Sequence, residues 1–302
     1  MGTTSNFGEI AAFLSAVFWT ISALLFKSAG QKTGDVNLTI VRLFLGFIFL
    51  SVFITFYRGM PFPTDATAEQ WFWLSLSGIV GFVLSDLFLF KAYTLIGFRN
   101  SMLIMTLMPA ITALFGRLFL NETLSLMNKL GMLLTIIGVA LAILKREKKD
   151  KHISVKSSIK GMLFAFVGTI GQAGCLILSK LGMSNNYNPF AAAQIRIITG
   201  LIGFMILISL TKRWKYVYTA AITTIKAKKT IILESIFGPF LGVSFSLLAI
   251  QYTKTGIASS IMSIVPVLLI VPVIFLYKQK TAVIEAIGAI ISLVGISLFF
   301  SA

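Results

Sequence analysis

Four side chains set in strongly apolar stretches of the sequence have the chemistry to bind a small solute: Trp19, Arg42, Asp86 and Arg196. Asp86 lies well inside its apolar run. An ionisable side chain within a membrane-type helix is costly and usually faces a cavity or a charged partner. Two interpretations of Asp86 stay open: a protonatable or amine-binding group on a solute pathway, and a fixed ion pair with a base such as Arg42 or Lys91.

The two arginines and the tryptophan also allow two interpretations each. Arg42 and Arg196 lie a turn or two inside their apolar runs. An arginine there could bind a carboxylate or phosphate through two hydrogen bonds, or extend along the helix to the lipid headgroups. Trp19 could line an apolar pocket or simply pack. We predict that these three residues and Asp86 belong to a substrate pathway.

Two prolines interrupt apolar runs that are otherwise suited to long helices. Pro109 and Pro266 each fall in the middle of a run. Proline removes a backbone hydrogen bond and bends a helix, and the freed backbone groups can line a cavity. We therefore predict both as bending points, although a static packing kink is the alternative.

Catalytic and metal-binding patterns are missing from the sequence. Its one histidine, His152, lies in a lysine-rich segment, and its one cysteine, Cys175, lies in an apolar run. No P-loop, GxSxG motif or metal-ligand spacing is present. We predict that the chain is not an enzyme and has no metal or other cofactor.

Composition indicates a polytopic membrane protein. Of the 302 residues, 57% are hydrophobic and only 12% are charged, and mean hydropathy is +0.93, whereas soluble domains carry about a quarter charged residues. The net charge of +16 could suggest nucleic-acid binding. However, many basic residues cluster between apolar runs, as in cytoplasmic loops, so we predict no nucleic-acid partner.

Apolar runs of about 20 residues, the length of a bilayer-spanning helix, occur ten times. They lie near 8–29, 36–57, 71–95, 100–120, 124–144, 158–182, 188–211, 230–254, 256–277 and 280–300. We number them spans 1 to 10. We predict an all-α polytopic membrane protein whose ten transmembrane helices form repeat 1 (8–144), a basic linker (145–157) and repeat 2 (158–300). Because five is odd, the second repeat enters from the opposite side, and the repeats are inverted.

The two halves share a sequence pattern in constant register. The paired positions are Pro109 with Pro266, Glu122 with Gln279, Gly131 with Gly288, and Gly138 with Gly295. The glycines, spaced by seven, predict close contact between helices. We expect Glu122 to cap the helix that follows it or to lie at the membrane interface.

Loop charge predicts an orientation. Most basic residues lie in the connections after odd-numbered spans, which places those loops in the cytoplasm and both termini outside. The longest such connection, Lys212 to Lys229, mixes lysines with aromatic residues. It is either an amphipathic segment on the anionic membrane surface or a basic loop without that role.

These motifs together resemble the EamA repeat of the drug/metabolite transporter superfamily. The matching residues run from Ala92-Tyr93-Thr94 through Pro109 and Leu120-Asn121-Glu122-Thr123-Leu124 to Gly138, and again from Gln251-Tyr252-Thr253 through Pro266 to Gly295. The resemblance implies a ten-helix transporter with a central cavity between inverted halves. Two features depart from it: Gln279 replaces the second glutamate, and such proteins usually keep both termini in the cytoplasm.

The resemblance thus implies a secondary transporter that exports small organic metabolites, amino-acid-like or related, across the cytoplasmic membrane by alternating access. Its expected partners are the solute, membrane lipids, and a proton or other coupling ion. Two alternatives are a membrane-embedded lipid-handling enzyme and a packing or scaffold subunit without transport.

Overall fold

The computed structural model describes residues 6–30, 35–143, 155–211, 228–277 and 283–301. Most of the basic linker 145–157, the segment 212–227, His152 and Gln279 lie outside the described residues, so the expectations for them stay predictions. The described residues form helices joined by short turns, without a strand.

The helices of the first half are Phe7–Gly30, Asp35–Arg58, Ala68–Gly78, Asp86–Met105, Met108–Leu120 and Leu126–Ile143. Those of the second half are Val155–Gly182, Pro189–Thr211, Lys228–Ser235, Val243–Tyr252, Thr255–Met262, Val265–Tyr277 and Val283–Ser301. Two π-helical segments, Ile79–Ser85 and Ile236–Gly242, lie within spans 3 and 8.

The predicted fold class is confirmed: the protein is an all-α membrane protein with two five-helix repeats. Among the described residues, nine helical stretches are long and apolar enough to cross a bilayer, and Thr255–Ile270 is a shorter apolar stretch at span 9. Span 3 continues to Gly97, whose φ of 80° breaks the helix before span 4 begins. This backbone conformation is open to glycine without a steric penalty.

The helix interruptions repeat in register between the halves. The π-helical segment of span 8 is offset from that of span 3 by the same number of residues that separates Pro266 from Pro109. The breaks in span 4, at Thr106 and Leu107, and in span 9, at Ser263 and Ile264, keep this offset. π-helical turns and mid-membrane breaks commonly mark functional regions.

Close contacts between the halves follow the same symmetry. A Cβ on Gly46 of span 2 would lie 2.6 Å from the Pro239 Cβ of span 8, and a Cβ on Gly200 of span 7 would lie 2.9 Å from the Phe82 Cδ2 of span 3. Gly46 and Gly200 are separated as Arg42 and Arg196 are. The equivalent contacts therefore fit two inverted copies facing each other.

Spans 5 and 10 pack through the predicted glycine faces. A Cβ on Gly131 would lie 2.8 Å from the Gly295 carbonyl oxygen, and a Cβ on Gly138 would lie 2.6 Å from the Gly288 carbonyl oxygen. The prediction of close helix contact at these glycines is confirmed.

Both ends of the described chain lie on one face of the bundle, which we call the terminal face. The Asn6 side-chain amide donates to the Phe300 carbonyl oxygen at 3.3 Å. The turns that follow even-numbered spans lie on this face as well, and there the Arg58 guanidinium stacks on the Tyr187 ring. Burial raises the pKa of Tyr187 to about 12, so this phenol is neutral at physiological pH. Odd-numbered spans end on the opposite face.

Candidate functional site

Three charged side chains from spans 2, 3 and 8 meet inside the bundle. The Arg42 guanidinium lies 3.1 Å from Glu234 Oε1 and 4.0 Å from Asp86 Oδ2. The Glu234 side chain is fully buried, whereas 12% of Arg42 and 16% of Asp86 is exposed. We call Arg42, Asp86 and Glu234 the charged cluster. The contact of Arg42 with Asp86 lies within the first half of the chain, and its contact with Glu234 crosses to the second half. The cluster therefore depends on both halves.

The π-helical segments set the positions of the two carboxylates. Asp86 directly follows Ile79–Ser85, and Glu234 stands two residues before Ile236. The extra residue in each π turn changes which side chains face inward. Arg42 lies about two turns inside its helix, which begins at Asp35 on the opposite face. The cluster is therefore nearer the opposite face than the terminal face.

Neutral side chains from spans 1 and 6 complete the cluster. The Ser22 hydroxyl donates to Glu234 Oε1 at 2.9 Å. The Gln172 amide donates to Asp86 Oδ1 at 3.1 Å and to the Gly81 carbonyl oxygen at 3.4 Å. These bonds orient the carboxylates, and Glu234 Oε2 is buried without a partner among the described residues.

Arg196 and Trp19 lie beside the charged cluster, but each has other partners. The Arg196 guanidinium lies 3.6 Å from Cys175 Sγ and 5.3 Å from the centre of the Phe82 ring, and no carboxylate is within ion-pair distance in the described chain. Trp19 lies against the π-helical segment of span 8, where a Cβ on Gly242 would be 3.1 Å from Trp19 Cε2. Thus only Arg42 and Asp86 of the four predicted residues come together.

Neither arginine extends to the lipid headgroups. Arg196 is 4% exposed, and Arg42 points to carboxylates inside the bundle. The interpretation of Asp86 as an ion-pair partner of Arg42 describes its surroundings better than one with Lys91, which is exposed.

The prolines stand just after the helix breaks. Pro109 is the second residue of Met108–Leu120, and Pro266 is the second residue of Val265–Tyr277. Proline is well suited to a helix start because that position needs no amide donor. The geometry describes two half-helices per span, joined near the middle of the membrane.

Glu234, Ser22 and Gln172 are the residues that sequence reasoning missed. A carboxylate within an apolar span is the signal that could have singled out Glu234, as it did Asp86. Serine and glutamine are too common in such helices to be selected without coordinates.

The cluster carries one guanidinium and two carboxylates. Arg42 can bind a carboxylate, and the two acids can accept hydrogen bonds from an ammonium group. No group of three or more potential metal ligands occurs in the part of the chain that the structure describes.

Comparison with known proteins gives one family. The model of the EamA-like transporter family matches residues 6–144 and 159–301. No curated protein matches the chain. A solved structure, titled only as the crystal structure of a protein, is 16% identical with a TM-score of 0.73, covering 97% of this chain and 96% of that one. This similarity supports the fold.

Proposed function

Because the chain belongs to the EamA-like transporter family, a family of membrane transporters of small solutes, we propose that it is a secondary exporter of amino-acid-like metabolites. Export would cross the cytoplasmic membrane by alternating access between the two repeats. The charged cluster is the observation that carries this proposal, since it combines both charge types inside the bundle.

The chemistry of the cluster suits a zwitterion. A solute carboxylate would pair with the Arg42 guanidinium, and a solute ammonium would pair with Asp86 and with Glu234 Oε2, which has no described partner. Solute binding would thereby exchange the ion pairs within the protein for ion pairs between the protein and the solute, so that every charge stays paired. Buried charges are tolerated when they are paired in this way.

The helix interruptions support movement around the cluster. Breaks at Thr106–Leu107 and Ser263–Ile264 divide spans 4 and 9 into half-helices. We propose that Pro109 and Pro266 act as bending points where these half-helices tilt when one face closes and the other opens.

We further propose a proton as the coupling ion, with Asp86 as the exchanging carboxylate. Asp86 is partly exposed, whereas Glu234 is fully buried. A carboxylate that water can reach can exchange a proton while the other keeps Arg42 paired.

A binding experiment tests the proposal without knowledge of the solute. Purified protein would be heated with single amino acids, nucleotide sugars and cationic drugs, and its melting temperature recorded. We expect zwitterionic amino acids to raise the melting temperature, because a ligand that binds only the folded state stabilises it. Arg196→Met is the matched control and should keep the shift, whereas Arg42→Met should lose it. A shift with cationic drugs alone, or none with any class, would contradict the proposal.

A further inference from the structure

We propose that Glu122 and Lys180 form a latch that holds the terminal face closed, and that the second repeat, with Gln279 in place of the glutamate, does not encode an equivalent ion pair. The charged cluster would then be open to the opposite face at rest. The role of the latch in a transport cycle rests on the proposed function, but the latch itself can be tested without any solute.

One carboxylate joins three spans at the terminal face. Lys180 Nζ, at the end of span 6, donates to Glu122 Oε1 at 2.8 Å and to the Thr253 carbonyl oxygen at 2.9 Å. The backbone amide and the hydroxyl of Thr255 donate to Glu122 Oε2 at 2.8 and 2.7 Å. Glu122 therefore caps span 9. The expectation that it caps the helix following it is wrong, whereas its place at the terminal face agrees with the alternative, a position at the membrane interface.

The half-helices at this face pack too closely for larger side chains. A Cβ on Gly256 of span 9 would lie 2.9 Å from the Ala113 Cβ of span 4. A Cβ on Gly116 would lie 2.7 Å from Glu122 Oε2 and equally far from the Thr255 hydroxyl. The ion pair and the glycine contacts thus hold spans 4 and 9 together at the terminal face.

In the repeat register, the positions of the latch residues are occupied by different residue types in the other copy. Phe98 stands at the position equivalent to Thr255, Arg99 at that of Gly256, and Gln279 at that of Glu122. The arginine is too large for the close helix contact that Gly256 allows, and the glutamine carries no charge with which to form an ion pair. The equivalent positions of the other copy therefore lack both the glutamate of the ion pair and the glycine of the close helix contact.

Burial of the two equivalent half-helices differs accordingly. In span 9, every residue from 255 to 261 is buried. In the equivalent part of span 4, from 98 to 104, Ser101 is buried, Phe98 is 58% exposed, and the other described side chains are exposed or partly exposed. The first half of span 9 is thus packed inward, whereas the first half of span 4 lies farther out. This is the arrangement expected of a bundle closed at the terminal face.

The latch is placed where water can reach and break it. A recess of about 640 Å³ opens on the terminal face, and its lining includes Glu122, Lys180 and Ile257. Of the latch side chains, 25% of Lys180 and 11% of Glu122 is exposed. A partly hydrated ion pair can exchange partners, as a gate requires.

Thiol labelling of purified protein in detergent tests the latch. In a Cys175→Ser background, Ile257→Cys reports on access to the first half of span 9, at the terminal face. Asn100→Cys reports on the equivalent position in span 4, at the opposite face. With the latch intact, a water-soluble maleimide should react slowly at 257 and quickly at 100. Glu122→Gln, or Lys180→Met, should raise the rate at 257 roughly tenfold, the effect of losing one charge-assisted hydrogen bond on a closed state.

Two controls make the result decisive. Lys254→Met removes a neighbouring lysine that bonds only the Thr123 carbonyl oxygen among the described contacts, and it should leave the rate at 257 unchanged. Ala165→Cys, buried between spans 3 and 6, should stay unreactive in every variant. Equal rates at 257 with and without Glu122, or slow labelling at 100, would overturn the proposal. So would a parallel rise at 165, which would assign Glu122 to overall stability. None of these outcomes depends on transport, so a failure to find a solute would leave the latch result standing.

Discussion

Arg42 and Arg196 hold corresponding positions in spans 2 and 7, yet the groups that face them differ in charge. Arg42 meets two carboxylates, whereas Arg196 meets a cysteine sulfur and a phenylalanine ring. The repeat therefore preserves an arginine at a helix–helix crossing without preserving its chemistry. Duplication has kept the scaffold, and only one copy of the site carries the charges that could bind a solute.

The reason lies in the counterparts of the two acids. The residue equivalent to Glu234 is Ser77, whose hydroxyl bonds the Cys175 carbonyl oxygen and the Ser179 hydroxyl. The residue equivalent to Asp86 is Val243. With neither acid present, the second position is a packing site.

Replacing each arginine by methionine gives the largest expected contrast. Arg42→Met leaves Glu234 buried without its counter-ion, which should lower the free energy of unfolding by about 3–5 kcal/mol. Arg196→Met should be neutral or stabilising, because a buried charge without a carboxylate partner is itself unfavourable. Melting temperatures in detergent measure both changes. Equal destabilisation by the two substitutions would show that the sites are not chemically different.

Removing one acid should have the next largest effect. Glu234→Gln keeps the shape but loses the charge that Arg42 and Ser22 contact, so zwitterion binding should weaken roughly tenfold or more. Ser77→Ala, the matched change in the other repeat, should leave binding unchanged and reduce stability by about 1 kcal/mol. Titration of the ligand-induced melting shift measures the difference. Wild-type affinity in Glu234→Gln would remove Glu234 from the site.

Alanine at the two crossing glycines tests whether the repeats also differ in packing. Gly46→Ala would press on Pro239, whose ring cannot rotate away from the contact, and should cost about 1–3 kcal/mol of stability. Gly200→Ala would press on Phe82, whose ring can turn aside, so its cost should be smaller. Thermal unfolding compares the pair, and a larger loss for Gly200→Ala would show that Phe82 is held more rigidly than Pro239.

The mildest change, Asp86→Asn, should alter the pH dependence of transport more than the stability of the protein. Stability should change little because the Gln172 amide can still donate to the asparagine oxygen. If Asp86 exchanges the coupling proton, uptake by the variant should be flat between about pH 6 and about pH 8, whereas wild-type uptake should vary. Parallel pH profiles for the two proteins would exclude Asp86 from coupling.

Much of the fold could be predicted from the sequence, because span length and repeat register are local signals. The hydropathy pattern predicted the positions of the spans. The number of residues that separates Pro109 from Pro266 also separates the helix break in span 4 from that in span 9. The π-helical segments had no sequence signal, since one extra residue in a turn leaves composition unchanged. They matter because Asp86 and Glu234 flank them.

The site was only half predictable because its contacts connect distant parts of the chain. Asp86 was recognisable as an acid in an apolar span, but its nearness to Arg42 and Glu234 depends on how spans 2, 3 and 8 cross. Glu122 shows the same limit: its local sequence suggested a cap for the next helix, whereas its partners are Lys180 and Thr255. Arg196 looked equivalent to Arg42 because neighbours in space are invisible to a sequence comparison.

Counterflow in proteoliposomes tests the central claim, that one charged cluster between inverted repeats carries a zwitterionic solute across the membrane. Vesicles loaded with unlabelled amino acids would be diluted into trace labelled amino acid, and accumulation of label followed over time. We expect transient accumulation with wild type and Arg196→Met, and none with Arg42→Met or Glu234→Gln. Accumulation by the Arg42 variant at the wild-type rate, or none by wild type with any amino acid, would contradict the central claim.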